Sequence, residues 1–456
     1  MKKYDLLSIS PIDGRYSEIC HNMTQLFSEY ALIKNRVFVE IKWLIFLSDL
    51  KEIKSLPKLS NTSKTFLLDI YNKFSIKDAE KIKKLESVTK HDVKAIEYFI
   101  KDKIKTHKKL KEYTECVHIC CTSEDINNMA YALMIKHGRQ LLSSKMNNLN
   151  KLINKLVKKY AKNEMISHTH GQVASPTTMG KEFLNFYTRL MNISNNFCKI
   201  DIYGKFNGAT GNYSSHSITF PNVNWPKATK KFIESFDIKQ NKYTTQIEPH
   251  DYICQLSNTL THYNSILIGL SQDIWTYISK HYFIQKNVKG EIGSSTMPHK
   301  INPINFENAE GNLGVSNSLL KFFSEKLVIS RLQRDLSDST VLRNIGISFS
   351  YSYLAYENMI LGLNKISINN KALDQDLSDS WEILAEPIQM IARKYNIPNS
   401  YEILKKETRG KKVTKEIVQK IINNLMIPES DKRLLLNLTP KKYIGYAVKM
   451  TYDESK

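Results

Sequence analysis

The pattern that most limits how this chain can fold lies between residues 253 and 277. Ile253, Leu256, Leu260, Tyr263, Leu267, Leu270, Ile274 and Tyr277 recur alternately three and four positions apart. That spacing is a heptad seam, the pattern of helices packed at small crossing angles. No proline falls between Pro249 and Pro298, so a single helix over 251–279 is expected, about 43 Å long at ~1.5 Å per residue. A helix of that length cannot bury its stripe alone, and a long bundle follows. Residues 142–160 carry a second stripe of Leu142, Met146, Leu149, Leu152, Ile153, Leu156, Val157 and Tyr160, with Lys and Asn elsewhere. The expected fold class is all-α.

The 456 residues suffice for two or three domains, and 41% apolar content supports a real core. No apolar run approaches the eighteen or so residues of a membrane span; Trp43–Leu47 is far too short. The opening MKKYDLLSISPIDG lacks the apolar stretch of a signal peptide. A soluble cytoplasmic protein with no membrane partner is therefore expected. The 66 basic against 45 acidic residues leave a net charge of +21. Lysines scattered along the chain read as a solvated surface rather than a nucleic-acid stripe, although a positive field helps collect a small polyanion. The six cysteines read as reduced thiols. Cys116, His118, Cys120 and Cys121 lack the second ligand pair that structural zinc wants, so buried thiols and no metal are expected.

No internal repeat or low-complexity linker is present. The basic run KDKIKTHKKLKEY (101–113) marks a first boundary and the stretch near 355–370 a second. Beyond it Pro387, Pro398, Pro428 and Pro440 separate shorter helices. The expected segments are 1–111, 112–360 and 361–456, all helical.

The chemistry concentrates in a few polar stretches. GEIGSSTMPHKINP (290–303) combines hydroxyls, glycines and a cationic pair, so it reads as a shaped loop that receives an anion and moves a proton. Two glycines and several polar residues make the 286–299 part a mobile element expected to close over substrate. His91, His168, His170 and His250 sit in polar, turn-like settings, and imidazole is the natural proton carrier near neutral pH. In TSEDINN (122–128), Thr122 or Ser123 can cap a helix, while Glu124 and Asp125 suit its positive end; the same hydroxyls and N–H groups suit a carboxylate or phosphate. GKFNGATGNY (204–213) lacks the ending of a nucleotide-binding Walker loop and reads as a tight connection. Arg15 lies in a turn. Arg331, Arg334 and Arg343 flank Ser337, Ser339 and Thr340, as a phosphate pocket would arrange them.

Gly293, Ser294, Ser295, Pro298, Lys300 and Asn302 match the signature of the fumarase/aspartase superfamily. With His299, and with SPIDGRY (10–16), THG (169–171), TQIEPHDY (245–252), RDLSDSTVLRN (334–344) and LAEPIQ (384–389), the chain resembles the bacterial, shorter-branch adenylosuccinate lyase family along almost its whole length. The resemblance implies three helical domains, with a long central bundle packing across the subunits of a homotetramer and active sites shared between subunits. It implies β-elimination of fumarate from small-molecule nucleotide substrates, adenylosuccinate and the succinyl-aminoimidazole carboxamide ribonucleotide, with no cofactor. Ser294 is then the base and His170 the acid, with His91 a second candidate for protonating the leaving nitrogen. Lys300 and Asn302 bind the succinyl carboxylates, and Gln246 orients that part. Arg15, Tyr16, Arg334, Ser339 and Arg343 carry phosphate and substrate contacts. Lys90, Asp92, Thr122, Ser123, Ser295, Asn308 and Thr340 complete the expected contacts, with Lys90 standing where relatives often carry a smaller polar residue. Argininosuccinate lyase, fumarase and aspartase share the loop; the SPIDGRY and TQIEPHDY contexts set this chain apart. A helical scaffold or RNA-binding protein has only the +21 charge in its favour, and the intact Ser294, His170, Lys300 and Asn302 oppose it.

Overall fold

The computed structural model describes residues 6–286, 296–297, 299–410 and 412–453. The fold is all-α, with short strands paired two at a time. Asp251–Ser279 forms the expected unbroken helix. Its seam from Ile253 to Ile274 is buried, while Tyr277 is half-exposed. The stripe from Leu142 to Val157 lies on the longest described helix, Ser123–Lys159, with Tyr160 just past its end, and all of it but Leu152 is buried. Met179–Lys199, Ile304–Lys326 and Ile345–Lys365 are the other long helices of the C-terminal two-thirds. Among the described residues no helix is long and apolar enough to cross a membrane.

Contacts group the chain into two compact units. The first comprises Met1–Met146, Ile193–Ser265 and Gly311–Tyr356; the second comprises Asn147–Asn192, Ile266–Glu310 and Glu357–Lys456. These units interleave distant segments, whereas the boundaries after 111 and 360 cut the chain in series.

In the first unit an aromatic nest forms around Trp43, whose ring centroid lies 4.4 Å from that of Phe206 and 5.0 Å from that of Phe232. A buried polar layer crosses the same unit. Tyr356 Oη donates to Asn264 Oδ1 at 2.6 Å, and Asn264 Nδ2 donates to Asn317 Oδ1 at 3.0 Å and to Ser352 Oγ at 2.9 Å. Each buried amide is thereby spared the cost of an unmet hydrogen bond. Tyr203–Gly204 pairs in parallel with Lys239–Gln240.

In the second unit Tyr160, Phe183 and Phe283 meet ring to ring at 6.2–6.3 Å. Ile166 packs into a C-terminal cluster with Leu384, Ile388, Val418, Ile422 and Leu435. Glu164–Thr169 and Gln172–Thr178 form an antiparallel hairpin in which Thr169 pairs with Gln172. His170 and Gly171 make its two-residue loop, both left-handed with φ of 54° and 72°. A loop of that kind matches the twist of the flanking strands.

Candidate functional site

A cavity of about 840 Å³ opens in the first unit. It gathers Lys90, His91, Asp92, Thr122, Ser123, Gln246, Arg334, Ser339 and Arg343, nine residues expected at the site from the sequence. They come from four places in the chain, 90–92, 122–123, 246 and 334–343, and each place has a local reason for its shape.

Lys90 ends the helix Ile76–Thr89 in a left-handed conformation, and His91 caps the next helix, Asp92–Lys105. His91 Nδ1 accepts from the Lys94 backbone N–H at 3.2 Å. In the neutral ring the remaining proton then sits on Nε2, and the side chain is half exposed. Asp92 is gripped by Arg36 Nη2 at 2.7 Å and approached by Arg343 Nη2 at 3.5 Å. Burial pushes the Asp92 carboxyl up, but Arg36, the Val93 N–H and Arg343 together hold it below the usual carboxylate range. Arg36, only 1% exposed, also donates from Nε to Asn127 Oδ1 at 2.8 Å.

At the start of the Ser123–Lys159 helix the Thr122 N–H is met by Asp125 Oδ2 at 2.8 Å. Glu124 and Asp125 are not a solvated cap; both are buried. Asp125 pairs with the equally buried Lys205 at 3.0 Å and accepts from the Asn207 and Gly208 N–H groups. The glycine-rich segment 204–213 therefore folds around a carboxylate. Gly211 is required there: its φ is +79°, and a Cβ would fall 2.2 Å from the Thr244 carbonyl oxygen.

Gln246 joins this loop to the arginine segment. Its carbonyl accepts from Lys205 Nζ at 2.6 Å and its Nε2 donates to the Ala209 carbonyl at 3.1 Å. Its Oε1 accepts from Arg334 Nη1 at 3.2 Å. Arg334 Nη1 also lies 3.0 Å from Glu124 Oε2. Arg343 is bound to Glu29 Oε2 at 2.7 Å. The cavity is thus lined by arginines tethered to internal carboxylates, and their forks suit an anion.

The other expected residues lie elsewhere. Arg15 rests over the Tyr16 ring at 5.8 Å, and Tyr16 packs against Ile12, Cys20 and Leu354; neither lines the cavity. Thr340 is on the short helix Ser337–Leu342 beside Ser339, but does not line the cavity. His170, Lys300, Asn302 and Asn308 belong to the second unit. His170 is exposed at the hairpin tip, Lys300 is exposed, and Asn302 and Asn308 are half-buried. Ser294, Ser295 and most of the 286–299 loop lie outside the described residues. Sequence reasoning missed Arg36, Glu124, Asp125 and Lys205 as part of the site's support. It also expected buried thiols at 116, 120 and 121, which are half-buried. His118 among them pairs with Glu40 at 2.6 Å. Among the described residues no group of three or more His, Cys, Asp or Glu side chains gathers as a metal would need.

Comparison with known proteins decides the family. Residues 14–315 match the family model "Lyase", and residues 330–444 match "Adenylosuccinate lyase C-terminal". A protein of Buchnera aphidicola subsp. Schizaphis graminum named adenylosuccinate lyase is 49% identical, over 100% of both chains. That of Legionella pneumophila (strain Corby) is 49% identical over 98% of both, and that of Escherichia coli (strain K12) 44% over 100% of both. The chain belongs to the adenylosuccinate lyase family. It is an enzyme of the lyase class, within the fumarase/aspartase superfamily.

Solved structures agree on the fold. The fumarate lyase from Mesorhizobium sp. BNC1 superposes with a TM-score of 0.77 at 15% identity, covering 95% of this chain and 97% of that one. The 3-carboxy-cis,cis-muconate lactonizing enzyme from Pseudomonas putida gives 0.76 at 14%, covering 100% and 98%. In an adenylosuccinate lyase family member the Arg334–Gln246–Lys205 lattice spans both matched segments: Lys205 and Gln246 fall in the first, Arg334 in the second.

Proposed function

We propose that the chain splits adenylosuccinate into AMP and fumarate, and splits the succinyl-aminoimidazole carboxamide ribonucleotide into its carboxamide product and fumarate. The observation that carries this reading is the convergence of Arg334, Arg343, His91 and Gln246 on one cavity in a chain 44–49% identical to adenylosuccinate lyases over their full length.

The reaction is a β-elimination. A base takes a proton from the carbon beside a carboxylate, and the electron pair spreads into that carboxylate. The pair then forms the fumarate double bond as the carbon–nitrogen bond breaks, and an acid delivers a proton to the leaving nitrogen. Ser294 is the base. Its alkoxide is stabilised by backbone N–H groups and by Lys300. His170 is the acid, with His91 the alternative at the leaving nitrogen. Lys300 and Asn302 hold the succinyl carboxylates and take up charge as it develops; Ser295 and Asn308 support them. Gln246 orients the succinyl part. Arg334, Arg343, Ser339, Arg15 and Tyr16 supply phosphate and substrate contacts, and Lys90, Asp92, Thr122, Ser123 and Thr340 complete the substrate contacts. The carboxylate is the electron sink, so no cofactor is involved. The same reading includes a cytoplasmic homotetramer with sites shared between subunits, built from segments 1–111, 112–360 and 361–456.

The test is fumarate release from adenylosuccinate by purified protein. Ser294→Ala and His170→Ala are each expected to fold and to lose ~10²–10⁴-fold in kcat. A folded Ser294→Ala variant with wild-type turnover would remove the serine from the mechanism.

A further inference from the structure

The TQIEPHDY segment contributes Gln246 to the cavity, yet its histidine lines no part of it. His250 is buried at the entrance to the Asp251–Ser279 helix, left-handed with φ of 65°. Its Nδ1 lies 3.7 Å from Glu248 Oε2, and that same oxygen accepts the His250 backbone N–H at 2.8 Å. On its other side Nε2 lies 3.6 Å from Asp338 Oδ2. Asp338 Oδ1 lies 3.8 Å from Arg334 Nη2. The second terminal nitrogen of Arg334 is the one shared by Glu124 and Gln246.

The His250–Glu248, His250–Asp338 and Arg334–Asp338 side-chain separations of 3.6–3.8 Å are ion contacts, longer than hydrogen bonds. Among the described residues, His250 Nε2, Asp338 Oδ2, Arg334 Nε and Glu124 Oε1 are all buried without a hydrogen-bond partner. Four such atoms in one cluster make its charges depend on one another. Three carboxylates (Glu124, Glu248, Asp338) surround His250 and Arg334. Burial raises the Glu124 carboxyl, which Arg334, His250 and Lys205 draw back down, and a proton on His250 offsets Glu248 and Asp338. The buried Tyr252 hydroxyl lies near Glu248 and Glu124, and the buried Lys205, paired with Asp125, also acts on Glu124.

We propose that His250 is a positioning residue for Arg334: as an imidazolium between Glu248 and Asp338 it fixes the Asp338 carboxylate, which sits against one terminal nitrogen of Arg334 while Glu124 and Gln246 hold the other, and so sets how the guanidinium lies in the cavity wall. The ligand it serves is the phosphate or carboxylate of the anionic substrate, so the inference rests on the functional reading above. Burial works against the cationic ring, but Asp338 and Glu248 outweigh it and hold the imidazole up to about 9. Asp338 in turn is pushed up by burial and held down by His250 and Arg334. The link therefore persists at neutral pH and weakens as pH rises through about 9.

His250→Asn is the informative variant, because asparagine tolerates the left-handed backbone while removing the ring and its charge. It is expected to raise KM for adenylosuccinate about tenfold with kcat within about threefold of wild type. Asp338→Asn is expected to raise KM at least as far, and the double variant to be no worse than Asp338→Asn, since both act through one chain of contacts. Wild-type KM should climb from about pH 8 to about pH 10, and the climb should be absent in His250→Asn. A folded His250→Asn with wild-type KM, an unchanged KM with reduced kcat, or an effect that persists undiminished on the Asp338→Asn background would each overturn the inference. If His250→Asn does not fold, the wild-type profile decides with Asp338→Asn: an alkaline rise lost in that variant supports the link, and a flat wild-type profile refutes it. Calorimetric binding of AMP repeats the comparison without turnover. A chain that binds AMP with this pH dependence but releases no fumarate fails the functional reading alone.

Discussion

Arg334 shows what one side chain does at this site. Its fork is divided among the internal acceptors Glu124, Gln246 and Asp338 in the wall of the cavity, which needs donors fixed in a plane. Arg334→Lys keeps the charge and loses the fork; KM for adenylosuccinate is expected to rise ~10-fold or more, with a smaller change in kcat. Equal KM values in steady-state assays would show that charge alone suffices. A second residue-scale consequence concerns pH. His250 is held up to about 9 in the fold, and His118 is also raised, because Glu40 outweighs its burial. Both protons are bound more tightly folded than unfolded, so the stability they contribute is fully present below the ordinary histidine value of about 6.5 and is lost as pH rises through their folded values. Urea denaturation should show stability falling between about pH 6.5 and about pH 9 in wild type, and falling less in His250→Asn. Arg334 and His91 stand out in polar stretches of the sequence, while Gln246 and the contacts of Arg334 were expected from the resemblance; all three line the cavity. Lys205, Arg36 and Glu124 were not legible as support for the site. A buried charge is written with the same letters as a solvated one, and among 66 lysines and arginines nothing local marks the buried ones.

At the scale of elements, legibility followed periodicity. The seam from Ile253 to Tyr277 fixed a helix whose ends fall at the residues expected, because a three-four repeat over seven turns has no strand or loop equivalent. The hairpin around His170 escaped that reading. Its strands are short and irregular, with a register shift between Met165 and Ser167, so the two-residue alternation that marks a strand is broken. His170 and Gly171 were read as a turn, but which turn follows only from their two left-handed conformations. The glycine-rich segment 204–213 is the converse case: a tight connection was legible, its wrapping of Asp125 was not. Gly211→Ala should test that connection. Its Cβ has no room against the Thr244 carbonyl, and its φ disfavours any side chain, so a loss of ~2–4 kcal/mol in stability is expected, with a raised KM as Gln246 shifts. A melting curve and KM both matching wild type would show that the loop does not brace the site.

For the whole molecule, the resemblance seen in scattered motifs became a match of two family models spanning 14–315 and 330–444. The net charge of +21 belongs to this scale as well. It specifies no fold, yet it favours collection of a small polyanion by a cavity already lined with arginines. Interleaving was beyond sequence reading, since long helices such as Asp251–Ser279 supply residues to both units, and no composition change marks the crossing. The central claim concerns which succinyl compound this lattice was shaped to cleave, and parallel assays of fumarate formation from adenylosuccinate and from argininosuccinate test it most directly. The account predicts turnover of the first and none of the second; turnover of argininosuccinate with adenylosuccinate left intact would contradict it.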